Sequence, residues 1–276
     1  VKAWPEKDEL IVLDNSQSKL ISQTNRWPWR ISFKTIWQAI KQSQTDFLLI
    51  GQILPLGTVA WLMSYFSKPY ALFLHGMDWT MALSTPRKAW LTKRIVGRAK
   101  AVIAANSYVA ELIIKTCPKA KDKLVVINPG LESASKPSVP KELLDQLSKK
   151  YHLENKPLIL TVGRLVERKG VDKTIEAVAQ LLPENPSLRY TIVGAGPYLK
   201  NCQELVKKLG LEKQVIFITD ADDLERAAWY QLADVFIMPS RQIGDDFEGF
   251  GIVYLEANQA GKPVIAGQGG GVRDAV

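Results

Sequence analysis

The chain has 276 residues, a formal net charge of +8 at neutral pH and 46% hydrophobic residues. This length accommodates two domains, and the composition is that of an ordinary soluble globular protein. The two cysteines, Cys117 and Cys202, lack CxxC spacing and there are two histidines, which argues against a disulfide framework or a histidine-rich metal centre. The charge is compatible with nucleic acid, anionic lipid or phosphorylated small molecules, and it selects none of them.

Short apolar runs alternate with helical patterns through the first half of the chain. Apolar residues at helical spacing predict helices over 33–42, 59–66, 87–96 and 108–116, and buried strands are predicted over 10–13, 47–50, 70–74, 101–105 and 124–127. The uncharged stretch 47–67 is long enough for a membrane span, but Gly51, Pro55 and Gly57 favour a strand, a loop and a buried helix. Alternating strands and helices predict a parallel sheet.

A polar segment rich in Ser, Pro and Lys follows, and then the alternation restarts. Strands are predicted over 158–163, 190–196, 215–219, 235–240 and 263–267. The sequence therefore predicts an α/β protein of two doubly wound, Rossmann-like domains. We place a first domain at 1–135, a linker with a surface helix at 136–150, and a second domain at 151–276. Ligands of such sheets bind beyond the carboxyl ends of the strands.

Two glycine-containing loops follow predicted strands of the second domain. In "VGRLVERKG" (162–170), Arg164 and Lys169 precede a helix, and cations beside free helix-start amides make a phosphate site. A solvated basic loop, including Arg168, explains the same residues equally well. "VGAGPYLK" (193–200) is a weak match to GxGxxG, because Leu199 replaces the third glycine; a tight strand-to-helix turn is the preferred interpretation.

In the first domain, "LHGMDW" (74–79) also stands at a strand end. His75 is a candidate ligand contact because of that position, although a lone histidine is more often structural. Asp78 is explained as well by capping the next helix.

The segment "EGFGIVYLEANQAGKPVIAG" (248–267) places Glu248 and Glu256 on either side of a glycine-containing helix start. Gly249 and Gly251 leave the backbone open, and the helix start attracts anions. Two carboxylates flanking it suit a ligand with hydroxyls at both ends and phosphate between them, which is the outline of a nucleotide-sugar. Taken singly, Glu248 is explained by a cap-region carboxylate and Glu256 by a surface residue.

Together these blocks resemble glycosyltransferase family 4, and "ADVFIMPS", "GGGVRDAV", "DFLLIGQILPLG" and "INPGLE" extend the resemblance over almost the whole chain. The resemblance implies the GT-B fold, with two Rossmann-like parallel sheets facing across a cleft. It implies a retaining, metal-independent glycosyltransferase of polysaccharide biosynthesis that uses a UDP-, GDP- or ADP-sugar as donor substrate and no cofactor.

Site residues follow from the same resemblance, motif by motif. Arg164 and Lys169 are expected to hold the donor diphosphate and stabilise it as it leaves, Glu256 to hold the ribose and Glu248 to contact the donor sugar. The backbone amides of Gly249, Phe250, Gly251 and Ile252 are expected to face the sugar and phosphates. His75 is expected to reach the sugar from the first domain. Neither "DD" pair, at 222–223 or 245–246, resembles a metal site.

Compared with the family pattern, the first strand with its glycine-rich loop and the last helices are missing, so both domains are expected to be incomplete. The alternatives are an inactive nucleotide-sugar-binding fragment and a sugar-nucleotide epimerase. The positive charge offers the sole support for a nucleic-acid binder, and none is expected.

The expected acceptor is a glycan or a lipid-linked sugar. Residues 86–100 hold six basic and no acidic residues, with Trp90, Leu91, Ile95 and Val96 interleaved. Such a helix suits an anionic membrane surface, although an apolar stripe packed on the sheet is the preferred interpretation. The predicted location is the cytoplasm, with peripheral contact at the inner face of the membrane as an option.

Overall fold

The computed structural model describes residues 11–13, 28–43, 45–131 and 138–276. These residues form two compact units: the first extends to Ile127, and the second comprises residues 128–276 together with Asn106–Tyr108.

The first unit contains a four-stranded parallel sheet in the order β1-β2-β3-β4. The strands are β1 (Leu48–Ile50), β2 (Tyr70–Leu74), β3 (Ala101–Ala104) and β4 (Leu124–Val126). The helices are α1 (Pro28–Ser43), α2 (Leu56–Met63), α3 (Met77–Ala82), α4 (Pro86–Arg98) and α5 (Ser107–Thr116), with 3-10 turns at Ser64–Phe66 and Pro118–Lys123. These elements confirm four of the five predicted strands and all four predicted helices.

The prediction of a strand over 10–13 is wrong where it can be checked. Residues 11–13 have no regular structure, and Leu10 lies outside the described residues. A run of four apolar residues becomes a strand only when a neighbouring strand completes its hydrogen bonds, and the run itself does not show that neighbour.

The stretch 47–67 divides as expected into β1, a loop, α2 and a 3-10 turn, with Val59, Ala60 and Met63 buried. No helix in the described residues has the length and apolar character needed to cross a membrane.

The second unit contains a five-stranded parallel sheet in the order β7-β6-β5-β8-β9. The strands are β5 (Leu158–Val162), β6 (Arg189–Val193), β7 (Val215–Ile218), β8 (Val235–Met238) and β9 (Val264–Ala266). The helices are α6 (Lys141–Lys150), α7 (Val171–Leu181), α8 (Leu199–Lys208), α9 (Asp223–Leu232) and α10 (Ile252–Gln259), with 3-10 turns at Glu167–Lys169 and Gly270–Asp274.

This sheet is covered on both faces, as a doubly wound fold requires. Along β5, Leu158 and Leu160 pack into one apolar cluster and Ile159 into the other, because successive strand residues point to opposite faces. The first cluster contains residues of α6, α9 and α10, and the second contains residues of α7 and α8. The helix α6 contributes the buried Leu147 to the first cluster. The sheet order reverses between β5 and β8, which is where such folds place their ligands.

Candidate functional site

The loops that leave β5 and β6 pack tightly against each other. Gly163 and Gly194 have φ angles of 148° and 139°, a region that side chains rarely adopt. A Cβ atom at Gly194 would collide with the carbonyl oxygen of Gly163, and Leu165 N–H donates to Ala195 O at 2.9 Å. The "VGAG" sequence is therefore a tight strand-to-helix turn, as predicted, and its glycines allow two backbones to approach closely.

Lys169 is buried by the geometry of the turn that carries it. The 3-10 turn Glu167–Lys169 ends at Gly170, which has a φ of 70° and lies so close to Pro239 that a Cβ atom would collide with its carbonyl. The Lys169 side chain is consequently turned inward, and the residue is only 8% exposed. Buried lysines require a partner for their charge.

That partner is Glu248, which is 6% exposed. Its Oε2 atom accepts from Lys169 Nζ at 2.6 Å, from Arg168 at 2.7 Å and from the Ser240 hydroxyl at 3.2 Å. Burial alone would raise the pKa of Glu248, but the charges and hydrogen bonds of Lys169 and Arg168 outweigh it and lower the pKa. The carboxylate is therefore held ionised. Lys169 comes from the loop after β5 and Ser240 from the loop after β8, so this cluster lies at the reversal of the sheet order.

The helix α10 begins directly after this cluster. Gly251 precedes its first residue with a φ of 84°, and no described side chain caps this helix start. A Cβ atom at Gly251 would lie 2.6 Å from Tyr254 Cδ2, so the glycine is required both by φ and by packing. The Tyr254 hydroxyl donates to Met238 O at 2.8 Å and thereby ties the helix to the end of β8. The uncapped amides and the helix dipole favour an anion here.

A pocket of about 290 Å³ opens at the carboxyl ends of β5, β6 and β7. Its lining includes Gly163, Gly194, Thr219, Arg226 and Glu256. Glu256 is half-buried, and its Oε2 atom accepts from a neighbouring tyrosine hydroxyl, that of Tyr230, at 2.8 Å. The pocket thus combines two glycines with one oriented carboxylate, which suits recognition of hydroxyl groups.

Gly163 connects the pocket to the charged cluster. It lines the pocket, and a Cβ atom built on it would lie 3.9 Å from Lys169 Nζ. The structure therefore brings together Glu256, Lys169 and Glu248 within one unit and along one edge of its sheet.

Two predicted site residues lie outside this cluster. Arg164 is exposed and forms no ion pair with any described residue. His75 belongs to the first unit, where it is exposed and its ring meets Phe73 edge to face at 4.7 Å. Asp78, in the first turn of α3, accepts from the amides of His75 and Gly76 at 3.1 and 2.9 Å, and no described side chain caps the start of this helix.

Sequence reasoning missed three residues of the site. Arg168 was interpreted as part of a solvated basic loop, whereas its side chain is largely buried against Glu248. Tyr230 and Arg226, both in α9, orient or line the pocket without any motif to mark them. The adjacency of Arg168 to Lys169 was the available signal; Tyr230 offered none. Within the described ranges, no three or more His, Cys, Asp or Glu side chains gather closely enough to hold a metal ion.

Family models match both halves of the chain. The model for "Glycosyl transferases group 1" matches residues 145–276, and that for "Glycosyltransferase Family 4" matches residues 4–134. The chain belongs to glycosyltransferase family 4. Its membership argues against the epimerase alternative.

Relatives and solved structures agree with this family. Over 133 residues the family 4 chain is 41% identical to a GDP-mannose-dependent alpha-(1-6)-phosphatidylinositol monomannoside mannosyltransferase of Mycolicibacterium smegmatis, covering 48% of this chain and 35% of that protein. It is 24% identical to the alpha-monoglucosyldiacylglycerol synthase of Streptococcus pneumoniae, covering 85% of this chain and 54% of that protein. The chain therefore spans about a third to a half of the length of these relatives.

The fold is confirmed as GT-B by its likeness to a solved structure. The Anabaena protein HepE in complex with UDP superposes with a TM-score of 0.73 at 21% identity, covering 88% of this chain and 65% of that one.

Proposed function

We propose that this chain is the core of a retaining glycosyltransferase that moves a sugar from a nucleotide-sugar to a lipid-linked or glycan acceptor. The observation that carries the proposal is the continuity at Gly163, which joins the Glu256 pocket to the buried Lys169–Glu248 pair. A nucleotide-sugar needs hydroxyl recognition at both ends and positive charge between them.

In this proposal, each group of the donor has a partner of matching chemistry. The ribose hydroxyls donate to Glu256, which Tyr230 already orients. Lys169 and Arg164, which is exposed and pairs with no described residue, hold the diphosphate, together with the backbone amides of Gly249 to Ile252 at the start of α10. Glu248, held in place by its donors, accepts from the hydroxyls of the donor sugar. Charged hydrogen bonds of this kind are about twice as strong as neutral ones.

Catalysis in this proposal consists of stabilising the leaving diphosphate. The bond between the sugar's anomeric carbon and the phosphate oxygen breaks as the acceptor hydroxyl bonds to the same face, and the hydroxyl proton passes to the departing diphosphate. Lys169, Arg164 and the α10 dipole meet the charge that develops. Removing one such cation raises the barrier by about 3 kcal/mol, which is roughly a hundredfold in rate.

Among the acceptors proposed here we favour a lipid, which is either a lipid-linked sugar or diacylglycerol. The names of both relatives refer to lipids. One names phosphatidylinositol monomannoside as the molecule that is mannosylated, and the other names monoglucosyldiacylglycerol as the product. The mannosyltransferase name also specifies GDP-mannose, whereas the HepE structure holds UDP, so both donors are candidates.

The surface of α4 supports peripheral contact with an anionic membrane. The apolar stripe packs inward as predicted for Ile95 and Val96, which are fully buried, but Trp90 remains 56% exposed. The Arg94 guanidinium stacks 5.1 Å from the Trp90 ring centroid, and Lys93 is exposed beside it. An exposed aromatic ring among cations suits the headgroup region of an anionic bilayer.

The experiment that tests the donor site is the thermal stabilisation of the chain by UDP, GDP and ADP. A ligand at 100 times its dissociation constant adds about 2.7 kcal/mol of stability, which is several degrees in Tm for a protein of this size. We expect one nucleotide to raise Tm, Lys169→Ala to remove the effect, and the exposed Lys173→Gln to retain it. No shift with any nucleotide would contradict the proposal for this chain.

Turnover separates a transferase from a binding module. With the donor that the nucleotide shift identifies and a phosphatidylinositol-containing acceptor, release of nucleoside diphosphate is expected from the wild type. Lys169→Ala is expected to lose about a hundredfold of this rate while remaining folded. Donor binding without release would favour the binding-module alternative.

A further inference from the structure

Arg168 forms two ion pairs in different directions. Its Nε atom lies 3.0 Å from Asp246 Oδ1, and its Nη1 atom lies 2.7 Å from Glu248 Oε2. The side chain is only 16% exposed. A planar guanidinium held at both edges is fixed in position, whereas the single ammonium of a lysine at that place could not reach both carboxylates in the same way.

The loop that carries Asp246 is itself clasped to the loop that carries Arg168. Arg241 pairs with both oxygens of Asp172, at 2.9 and 3.0 Å, and its backbone N–H donates to Arg168 O at 2.7 Å. Ile243 and Asp246 exchange backbone hydrogen bonds and close the loop into a tight turn. Asp246 is therefore held at a fixed place relative to Arg168, independently of Lys169.

Glu248 requires a counter-charge in every state of the site. In this structure Lys169 and Arg168 share its Oε2 atom. A diphosphate bound beside Lys169 draws the ammonium toward itself, because two phosphate groups carry more negative charge than one carboxylate. When a buried carboxylate is left without its partner, the folded state is destabilised by several kcal/mol, or the carboxylate takes up a proton.

We propose that Arg168 is a positioning residue that keeps Glu248 ionised and in place when Lys169 turns to the donor's diphosphate. This inference rests on the proposed function, and it assigns the two neighbouring cations different tasks. Lys169 stabilises the leaving diphosphate. Arg168, held in place by Asp246, pairs with the carboxylate of Glu248, which contacts the sugar.

The test compares ligands with and without the sugar. Calorimetry measures the affinity of the wild type and of Arg168→Gln for the nucleoside diphosphate and for the matching nucleotide-sugar. We expect Arg168→Gln to bind the diphosphate within about threefold of the wild type and the nucleotide-sugar at least tenfold more weakly, because a hydrogen bond to a charged group is worth about 1.5–3 kcal/mol. Asp246→Asn removes the ion pair that holds Arg168, and its affinity for the nucleotide-sugar is expected to lie between those of the wild type and Arg168→Gln.

The pH dependence of kcat supplies a readout that a merely structural role would not move. The groups facing Glu248 are Lys169 and Arg168 from one loop, Ser240 after β8, and Tyr254 from α10, with Asp246 pairing to Arg168. Without Arg168, the acid limb of kcat is expected to move to higher pH, because Glu248 keeps less positive charge beside it. Arg168→Lys restores the positive charge and is expected to move the acid limb of kcat most of the way back to its wild-type position. Lys173→Gln removes a nearby exposed charge and is expected to change nothing.

Two outcomes would overturn this inference. One is an unchanged preference for the nucleotide-sugar in Arg168→Gln, with both ligands losing affinity equally or not at all, and the other is an acid limb of kcat that does not move. If Arg168→Gln fails to fold, Asp246→Asn gives the comparison, with the same selective loss of nucleotide-sugar affinity expected at a smaller size. A wild type that binds neither ligand contradicts the proposed function as well, whereas a wild type that binds both with an unaffected variant contradicts this inference alone.

Discussion

At the scale of single residues, the motifs indicated Lys169, Glu248 and Glu256, which the structure brings together, but they did not reveal the burial and hydrogen bonds of these side chains. Glu248, which taken singly was explained by a cap-region carboxylate, is buried and triply hydrogen-bonded. Neutralising charge comes from Lys169 and Arg168, which precede it by about eighty positions. A carboxylate held in this way is preorganised to accept from ligand hydroxyls, since its rotamer is already fixed.

The first prediction concerns the pH dependence of stability. The folded-state pKa of Glu248 is lowered, so its ionised contacts stabilise the fold above the usual glutamate range and are lost as pH falls through that lowered pKa. Glu248→Gln is expected to reduce the free energy of unfolding by about 2 kcal/mol at pH 7, because two cations lose their counter-charge while the amide oxygen still accepts. Urea unfolding measures it.

The gap between wild type and Glu248→Gln is expected to shrink as the pH falls below the usual glutamate range and through that lowered pKa, where the wild-type carboxylate takes up its proton. Glu176→Gln, which removes an exposed partner of Lys173, provides the control and should stay within about 0.5 kcal/mol of the wild type throughout. A gap that is independent of pH would contradict the assigned ionisation.

The second prediction concerns the tyrosine that orients Glu256. Tyr230 donates to Glu256 Oε2 at 2.8 Å, and burial followed by the charge of Glu256 raises the pKa of this tyrosine, so it remains a donor. Tyr230→Phe frees the carboxylate to rotate and should weaken nucleoside diphosphate binding about tenfold. Calorimetry measures this, with Tyr198→Phe as a matched loss of a hydroxyl outside the pocket lining. If Tyr230→Phe and Tyr198→Phe bind the nucleoside diphosphate with equal affinity, Tyr230 does not contribute to the site.

At the scale of elements, most strands and helices could be predicted and the order of the sheet could not. Runs such as "YALFL" and "LILTV" became β2 and β5 because β-branched and other apolar residues fill a strand buried on both faces. The order β7-β6-β5-β8-β9 is a property of helix packing on the two faces, which residue spacing does not encode. The clasp between Arg241 and Asp172 was equally hidden, because it joins residues 69 positions apart.

The third prediction concerns the crossing of the loops after β5 and β6. A Cβ atom at Gly194 would be strained at a φ of 139° and would also collide with Gly163 O. Gly194→Ala is therefore expected to destabilise the protein by about 2 kcal/mol or more, and to weaken nucleotide binding because both glycines line the pocket.

Gly210→Ala separates these two effects. Gly210 also has a positive φ, of 68°, but a Cβ atom there would meet nothing within 4 Å. This control should cost about 1 kcal/mol from strain alone and leave binding unchanged. Thermal and urea unfolding of both variants measure the difference, and similar losses would show that the loops can separate at little cost.

At the scale of the whole molecule, the family could be identified from the sequence because its motifs combine several residue types at fixed spacing. "EGFG" with Glu256 and "GR" with "KG" mark the second unit, and both halves of the chain match family models. The donor base could not be predicted, because the pocket is lined mostly by glycines and by small or apolar residues such as Thr219 and Val253, and these residue types do not select one base. The net charge of +8 is likewise compatible with several partners and selects none of them.

The fourth prediction tests where that charge acts. Trp90, Lys93 and Arg94 are exposed on α4, and each cation near an anionic bilayer contributes about 1 kcal/mol to binding. The chain is expected to bind vesicles that contain anionic lipid and to bind neutral vesicles weakly. Replacing Lys93 and Arg94 by Gln should lower the vesicle partition coefficient about thirtyfold, since two contributions of this size amount to about 2 kcal/mol.

Salt and a matched variant distinguish a specific face from general positive charge. Raising the ionic strength from 0.1 M to 1 M shortens the screening length from about 10 Å to about 3 Å and should release most of the bound protein. Lys207 and Lys208 are exposed on α8 in the second unit, and their double replacement by Gln removes the same charge from another surface. If this control loses binding as strongly as the α4 variant, overall charge explains the association. If it retains binding, the face of α4 around Trp90 is the one that meets the membrane.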